Sequence, residues 1–176
     1  ARLNPAGDWA QLSAAQFVIE AVFEDLQVKQ ELLRKVEPLL RDGAIFATNT
    51  SYLDIDQIAE AAQKPQQVIG MHFFSPANVM RLVEVISGMY SAPAAVSTGF
   101  ALARRLGKLP IVANNAFGFI GNRLYAAYRQ QCEYMLEEGA LPSQIDQAME
   151  SFGMAMGPFA VADLSGLDIA WRMRKA

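Results

Sequence analysis

The stretch Val68-Ile-Gly-Met-His-Phe-Phe-Ser-Pro76, followed by Arg81-Leu-Val-Glu-Val-Ile86, contains the residues best suited to chemistry. The first run reads as a buried strand that brings His72, the single histidine of the chain, to a strand end, and the second as a short strand carrying Glu84. A carboxylate beside an imidazole orients it and stabilises its protonated form, which is the arrangement of a histidine general base. A histidine between apolar residues also serves as a hydrogen-bonded core residue, and this stretch alone leaves both readings open. The set Ser51, His72 and Glu84 could in principle be a hydrolytic triad. Nothing around Ser51 resembles a Gly-x-Ser-x-Gly elbow, and its polar turn suits ligand binding equally well.

The elements that must position these residues alternate. Phe17-Val-Ile-Glu-Ala-Val-Phe23 is a β-branched and aromatic run fit for the centre of a parallel sheet, with Glu20 its one polar intrusion. Glu24 and Asp25 supply carboxylates to the first turn of a helix running to about Asp42, with Leu26, Leu32, Leu33, Val36, Leu39 and Leu40 as its apolar stripe and Gly43 as its C-cap. A second strand, Ala44 to Thr48, leads through Asn49-Thr-Ser51 into a helix near Asp54 to Ala62, then to the His72 strand. This order predicts an α/β layered sheet with parallel strands, which places ligands at the carboxyl ends of those strands. Glu24, Asn49, Ser51, His72 and Ser75 all fall there.

Beyond the Glu84 strand, a helix from about Ala94 to Gly107 and a strand Leu109 to Ala113 complete this part. Downstream the pattern turns helical, with one helix spanning Phe117 to Gly139 and another capped by Ser143 with Asp146 three residues on. The spacing predicts two domains, 1–113 and 114–176, α/β followed by all-α. A sheet that binds a dinucleotide opens with Gly-x-Gly-x-x-Gly and a later acidic residue for the ribose, and neither occurs. Gly118-Phe-Ile-Gly121 has the wrong spacing and reads as small residues for close packing at a helix start.

Composition narrows the function classes. The 176 residues carry 15 Lys and Arg against 18 Asp and Glu, a net charge of −3, so no basic footprint for nucleic acid exists. No apolar run approaches the ~20 residues of a membrane span. One cysteine and one histidine exclude a familiar zinc cluster, so no metal is expected. Cys132, beside Glu133, reads as structural. Arg172, Arg174 and Lys175 read as a solvated helix face, with contact to an anionic group as the alternative.

Six motifs in order, Phe17 to Lys29, Asn49-Thr-Ser51, His72-Phe-Phe-Ser-Pro76, Leu82-Val-Glu-Val85, Gly118-Phe-Ile-Gly-Asn-Arg123 and Met156-Gly-Pro-Phe159, together resemble the L-3-hydroxyacyl-CoA dehydrogenases. His72-Phe-Phe-Ser-Pro and the ending Gly166 to Lys175 are closer to the dehydrogenase part of multifunctional fatty-acid oxidation enzymes. The resemblance implies the C-terminal half of a Rossmann-like parallel sheet plus the start of a helical C-terminal domain for substrate binding and dimerisation. It implies oxidation of L-3-hydroxyacyl-CoA to 3-ketoacyl-CoA in fatty-acid β-oxidation, with NAD as hydride acceptor. His72 would be the base, held and charge-balanced by Glu84, with Ser51 and Asn122 touching the substrate. Val22, Phe23, Glu24, Lys29, Ser51 and Ser75 would meet NAD, and Ser75 stands where many members have Asn.

The resemblance also implies that the family's glycine-rich first half precedes residue 1 and that part of the helical region follows residue 176. On that expectation the isolated chain binds NAD weakly or not at all and is inactive by itself. Its partners would be an acyl-CoA thioester and either a second copy in a homodimer or a fused enoyl-CoA hydratase domain. It would work in the cytoplasm of a bacterium, or in peroxisomes or mitochondria of a eukaryote. Two alternatives stay open, a related NAD-dependent hydroxy-acid dehydrogenase and an inactive interaction or dimerisation module.

Overall fold

The computed structural model describes residues 4–165. The Arg172, Arg174 and Lys175 cluster and the run Gly166 to Lys175 lie outside them. The chain divides into two compact units, Ala1–Asn122 and Arg123–Ala176.

The first unit is built on a five-stranded sheet in the sequential order β1 (Phe17–Glu20), β2 (Ile45–Thr48), β3 (Val68–Phe73), β4 (Leu82–Ser87), β5 (Leu109–Asn114). β1, β2 and β3 are parallel, joined through α1 (Leu26–Val36) and α2 (Ile55–Ala59). β4 runs antiparallel to β3, and β5, reached through α3 (Pro93–Arg105), is parallel to β4. The sheet is therefore mostly parallel, with one reversal between the two strands that carry His72 and Glu84.

Side chains alternate between the two faces of each strand. Phe46, Val68 and Ile86 pack with Leu33, Val36, Ile55 and Ile58 of α1 and α2. Ile45, Ala47, Ile69, Met71, Val83 and Val85 pack with Ala95, Val96 and Ala103 of α3 on the other face. Burying a side chain such as Leu33 contributes about 1.5–3 kcal/mol, so these two layers anchor the strand ends.

Several boundaries differ from the sequence expectation, each for a local reason. β1 ends at Glu20, four residues long, and 21–23 continue without ladder pairing. Asp25 is the N-cap of α1, its carboxylate accepting from the Val28 amide at 3.0 Å, while Glu24 precedes the cap and accepts from the Ser51 amide. α1 stops at Val36 because Pro38 tightens the chain into a 3₁₀ turn, Glu37–Leu39. Gly43, at φ +76°, then serves the turn into β2 rather than the helix end. α2 is also shorter than expected, with Asp54 as its cap.

The second unit holds the rest of α4 (Gly121–Glu137), α5 (Pro142–Phe152) and α6 (Pro158–Ser165). α4 begins at Gly121 because 118–120 form a turn with Gly118 and Phe119 at positive φ. Cys132 of α4 is buried. Ser143 does not cap α5: Leu141 is the capping position, Pro142 the first helical residue, and the Gln144 side chain accepts from the Leu141 amide at 2.9 Å. Asp146 instead accepts from the amides of Phe159 and Ala160 at 2.8 and 3.1 Å, capping α6. No helix among the described residues is long and apolar enough to cross a membrane.

Candidate active site

β3 and β4 put His72 directly opposite Glu84 in their antiparallel register. Opposed residues of an antiparallel pair project on the same face with their Cβ atoms close. Met71, Val83 and Val85 face α3, so His72 and Glu84 face the other layer, where Phe119 lies. His72 Nδ1 stands 2.7 Å from Glu84 Oε2. His72 is 4% exposed and Glu84 0%. The imidazole is flanked by the rings of Phe74, at 4.5 Å between centroids, and Phe119, at 5.8 Å.

The second oxygen of Glu84 is also occupied. Oε1 accepts from the amides of Ile120 and Gly121 at 2.9 and 2.8 Å. Burial pushes the Glu84 carboxyl upward, but the hydrogen bond from His72 and the two amides outweigh it and hold it below the ordinary value of 4.5. A carboxylate kept ionised accepts hydrogen bonds and donates none. The proton on the shared edge therefore resides on His72 Nδ1, which leaves Nε2 as the basic nitrogen.

A second cluster occupies the carboxyl ends of β1 and β2. Lys29, 0% exposed, places Nζ 2.8 Å from Glu20 Oε1 and 3.4 Å from Glu24 Oε2. Thr48 donates to Glu20 across the β1–β2 pairing. Glu24 Oε1 accepts from the Thr50 hydroxyl at 2.6 Å and from the amides of Ser51 and Tyr52 at 2.7 and 3.2 Å. Asn122 Nδ2 donates to the Ser51 carbonyl at 3.3 Å. Asn49 Oδ1, at the β2 end, accepts from the Phe73 amide at 2.8 Å and ties this cluster to the strand of His72.

The residues named from the sequence thus fall into two linked groups, His72 with Glu84, and Glu24, Lys29, Ser51 and Asn122. Val22 and Phe23 lie beside the second group, Phe23 66% exposed, with the Val22 amide donating to Glu20 at 3.3 Å. Ser75 is exposed in the segment after β3. Ser51 engages its neighbours through its backbone, and among the described residues no hydrogen bond joins it to His72, so the hydrolytic triad is not assembled.

Glu20, Thr48, Thr50 and the Ile120 and Gly121 amides were not legible as site components. For Glu20 and Lys29 a signal existed. Lys29, Leu33 and Val36 share the buried stripe of α1, so a lysine stands at helical spacing on an apolar face, while Glu20 interrupts the neighbouring strand. Two opposite charges in two apolar patterns are best placed by pairing with each other. A cleft of about 330 Å³ lies elsewhere, at the amino ends of β2 and β3. On its rim Lys64 pairs with Asp42 at 2.6 Å, and Glu37 accepts from the Gln63 and Lys64 amides at 2.7 Å each.

A dinucleotide suits the carboxyl edge of β1 to β3 on one structural ground. Val22 and Phe23 present apolar surface at the end of a parallel strand, beside a carboxylate and an ammonium held by buried partners. Sequence comparison agrees with that geometry. Residues 1–116 match the model of the 3-hydroxyacyl-CoA dehydrogenase NAD binding domain, and residues 118–176 that of the 3-hydroxyacyl-CoA dehydrogenase C-terminal domain. The peroxisomal bifunctional enzyme of Cavia porcellus is 46% identical over 164 residues, 93% of this chain and 23% of that protein. The fatty acid oxidation complex subunit alpha of Psychrobacter cryohalolentis is 42% identical over 167 residues, 95% of this chain and 23% of that protein. The chain therefore spans about a quarter of the length of these curated relatives. The crystal structure of a 3-hydroxybutyryl-CoA dehydrogenase from Escherichia coli superposes with a TM-score of 0.90 at 38% identity, covering 96% of this chain and 36% of that one. That of the (S)-3-hydroxybutyryl-CoA dehydrogenase from Ralstonia eutropha gives 0.91 at 34% identity, covering 97% and 61%. With both family models matched in order along one strand-by-strand fold, the chain belongs to the 3-hydroxyacyl-CoA dehydrogenase family.

Proposed function

We propose that this chain forms the acid–base part of an NAD-dependent L-3-hydroxyacyl-CoA dehydrogenase, oxidising the 3-hydroxyl to a ketone. The observation that carries this reading is the 2.7 Å contact between His72 Nδ1 and Glu84 Oε2 at the carboxyl end of β3. With Nδ1–H committed to Glu84, His72 Nε2 takes the hydroxyl proton in oxidation and returns it in reduction. Glu84 fixes the ring and balances the positive charge that appears when Nε2 is protonated. Bound NAD supplies the acceptor for the hydride that leaves C3.

The polar groups around that step have distinct tasks. Asn122 and Ser51, joined at 3.3 Å, hold the substrate's oxygens toward His72. Glu24 would offer its carboxylate to the ribose side of NAD, and the buried Lys29 would hold that carboxylate in place at 3.4 Å. Val22 and Phe23 cover an apolar face of it, and Ser75 gives one hydroxyl near the nicotinamide. The relatives that are named bifunctional, or as a subunit of an oxidation complex, support a role as the dehydrogenase segment of a longer β-oxidation polypeptide, with an enoyl-CoA hydratase as neighbour. They also support a peroxisomal site of action in a eukaryote and a cytoplasmic one in a bacterium.

The test is His72→Gln in the intact enzyme that contains this segment, followed by NADH absorbance during acetoacetyl-CoA reduction. Turnover is expected to fall at least about a hundredfold with little change in NAD affinity, in line with general-base contributions. Near-normal turnover in that variant would overturn the assignment.

A further inference from the structure

We propose that the Gly118–Gly121 turn is a positioning element for the base: its amides aim Glu84, and the missing side chain of Gly121 lets Phe74 hold His72. The inference rests on the reading of His72 as the base and adds residues to it.

Three observations converge. Glu84 Oε1 is gripped by two consecutive amides, Ile120 at 2.9 Å and Gly121 at 2.8 Å, leaving Oε2 alone to meet His72. These amides open α4, where backbone N–H groups lack helical partners and the helix field favours a negative charge. A carboxylate with one accepting edge on the protein backbone cannot rotate about its last bond without losing both amides. The angle it presents to the imidazole is thereby fixed by the backbone.

The second observation is steric. A Cβ on Gly121 would stand 2.6 Å from Phe74 Cζ and 3.0 Å from Cε1, so the ring occupies the space that any other residue would fill. That same ring lies 4.5 Å from the His72 ring, centroid to centroid. A side chain at 121 would therefore displace Phe74, and with it the wall of the imidazole.

The third is conformational. Gly118 at φ +70° is followed by Phe119 at φ +46°, a left-handed conformation that a bulky residue adopts only when its surroundings impose it. Phe119 is nevertheless buried, with its ring 5.8 Å from His72. The turn is thus shaped by the layer that holds the base. Asn122 follows it directly, so the same turn sets the group that reaches the Ser51 carbonyl.

The resonance of the His72 ring is assigned by its loss in His72→Gln. The experiment compares the parent, Gly121→Ala, Phe74→Leu and the double variant Gly121→Ala with Phe74→Leu. In the intact enzyme that contains this segment, folding is checked by circular dichroism, kcat and the KM for NAD are measured, and the downfield Nδ1 proton of His72 is recorded after histidine labelling. Gly121→Ala is expected to lower kcat about ten- to a hundredfold, the scale of an ångström misplacement, with the KM for NAD within about twofold. The Nδ1 proton should shift upfield or broaden away. Once the ring is removed, Gly121→Ala should add little, leaving the double variant within about threefold of Phe74→Leu alone in both readouts.

A folded Gly121→Ala variant with parental kcat and Nδ1 resonance overturns the proposal, as does a double variant in which Gly121→Ala lowers kcat as much beside Phe74→Leu as it does alone. If neither folds, the turn is a folding element and the proposal fails. A misfolded single variant rescued in fold and turnover by the double supports it. The outcome is separable from the reading beneath it. Loss of turnover in His72→Gln with a silent Gly121→Ala removes only this inference, whereas an active His72→Gln removes the general-base reading whatever Gly121→Ala does.

Discussion

Glu84→Gln retains the size and shape of the side chain while removing its charge, so its effect is set by the three donors already arranged around that position. The glutamine carbonyl can still accept from Ile120 and Gly121, the two amides now held at 2.9 and 2.8 Å by Oε1. Its NH2 group then faces His72 Nδ1 and donates to it. The ring is forced into the tautomer with hydrogen on Nε2, which has no lone pair to receive a substrate proton. Turnover is expected to fall at least about a hundredfold, while folding stability drops by no more than about 1.5 kcal/mol, since both amides keep their acceptor and the Gln NH2 finds one in Nδ1. Glu84→Ala strips the acceptor from three donors in a site with 0% exposure at Glu84. Breaking a buried hydrogen-bonded charge pair costs about 3–5 kcal/mol, which lowers Tm by on the order of 10–20 °C in a unit of this size. The two variants should therefore be alike in activity and far apart in stability.

The pH dependence of the same pair adds a signed test. Glu84 is held below its ordinary value of 4.5, so its contribution to stability is complete above that value and is lost as pH falls through the lower, folded value. The Tm difference between parent and Glu84→Gln should be flat near neutrality and shrink below pH 4.5. Calorimetry across that range, with NADH absorbance for turnover, completes the assay. Glu84→Gln with turnover within about threefold of the parent would refute the tautomer argument, since a positioned base contributes far more than that. Equal Tm values for the Gln and Ala variants would refute the account of what the two amides do.

Two further perturbations probe the supporting structure. Lys29→Met leaves Glu20 buried beneath the sheet's carboxyl edge without the ammonium now 2.8 Å away, which should cost about 3–5 kcal/mol in urea unfolding. Adding Glu20→Gln should recover part of that loss, and strictly additive effects would show that the two side chains do not act as a pair. In the helical unit, Asp146→Ala removes the acceptor of the Phe159 and Ala160 amides, at 2.8 and 3.1 Å. It should destabilise α6 by about 0.5–2 kcal/mol and speed hydrogen exchange at those two amides, and unchanged exchange would exclude the cap.

The layered sheet was legible because β1, β2 and β3 are short apolar runs separated by amphipathic helices, and that periodicity fixes element type. It does not fix strand direction. The reversal at β4 comes from the connection 74–81, which is shorter than the dozen or so residues that a parallel crossover requires. Helix ends proved less legible, because the competing signals are local. Pro38 stops α1 before the apolar pattern does, and Leu141-Pro142 overrides Ser143 as the start of α5. Asp146 has the spacing of a capping partner for its own helix, yet its carboxylate serves the next one, a choice set by tertiary contact.

Within the site, side chains were legible and backbone donors were not. His72 and Glu84 could be paired from residue type, because the antiparallel register brings them face to face once β4 reverses. Glu84 is kept ionised by His72 together with the amides of Ile120 and Gly121, and those amides carry no residue-type signature and lie beyond β5 in the chain. A buried carboxylate without donors would be driven toward its neutral form, in which it could no longer balance an imidazolium. The chemistry read from one strand pair thus depends on a turn whose residues looked like packing glycines, and that packing is what brings the amides within reach.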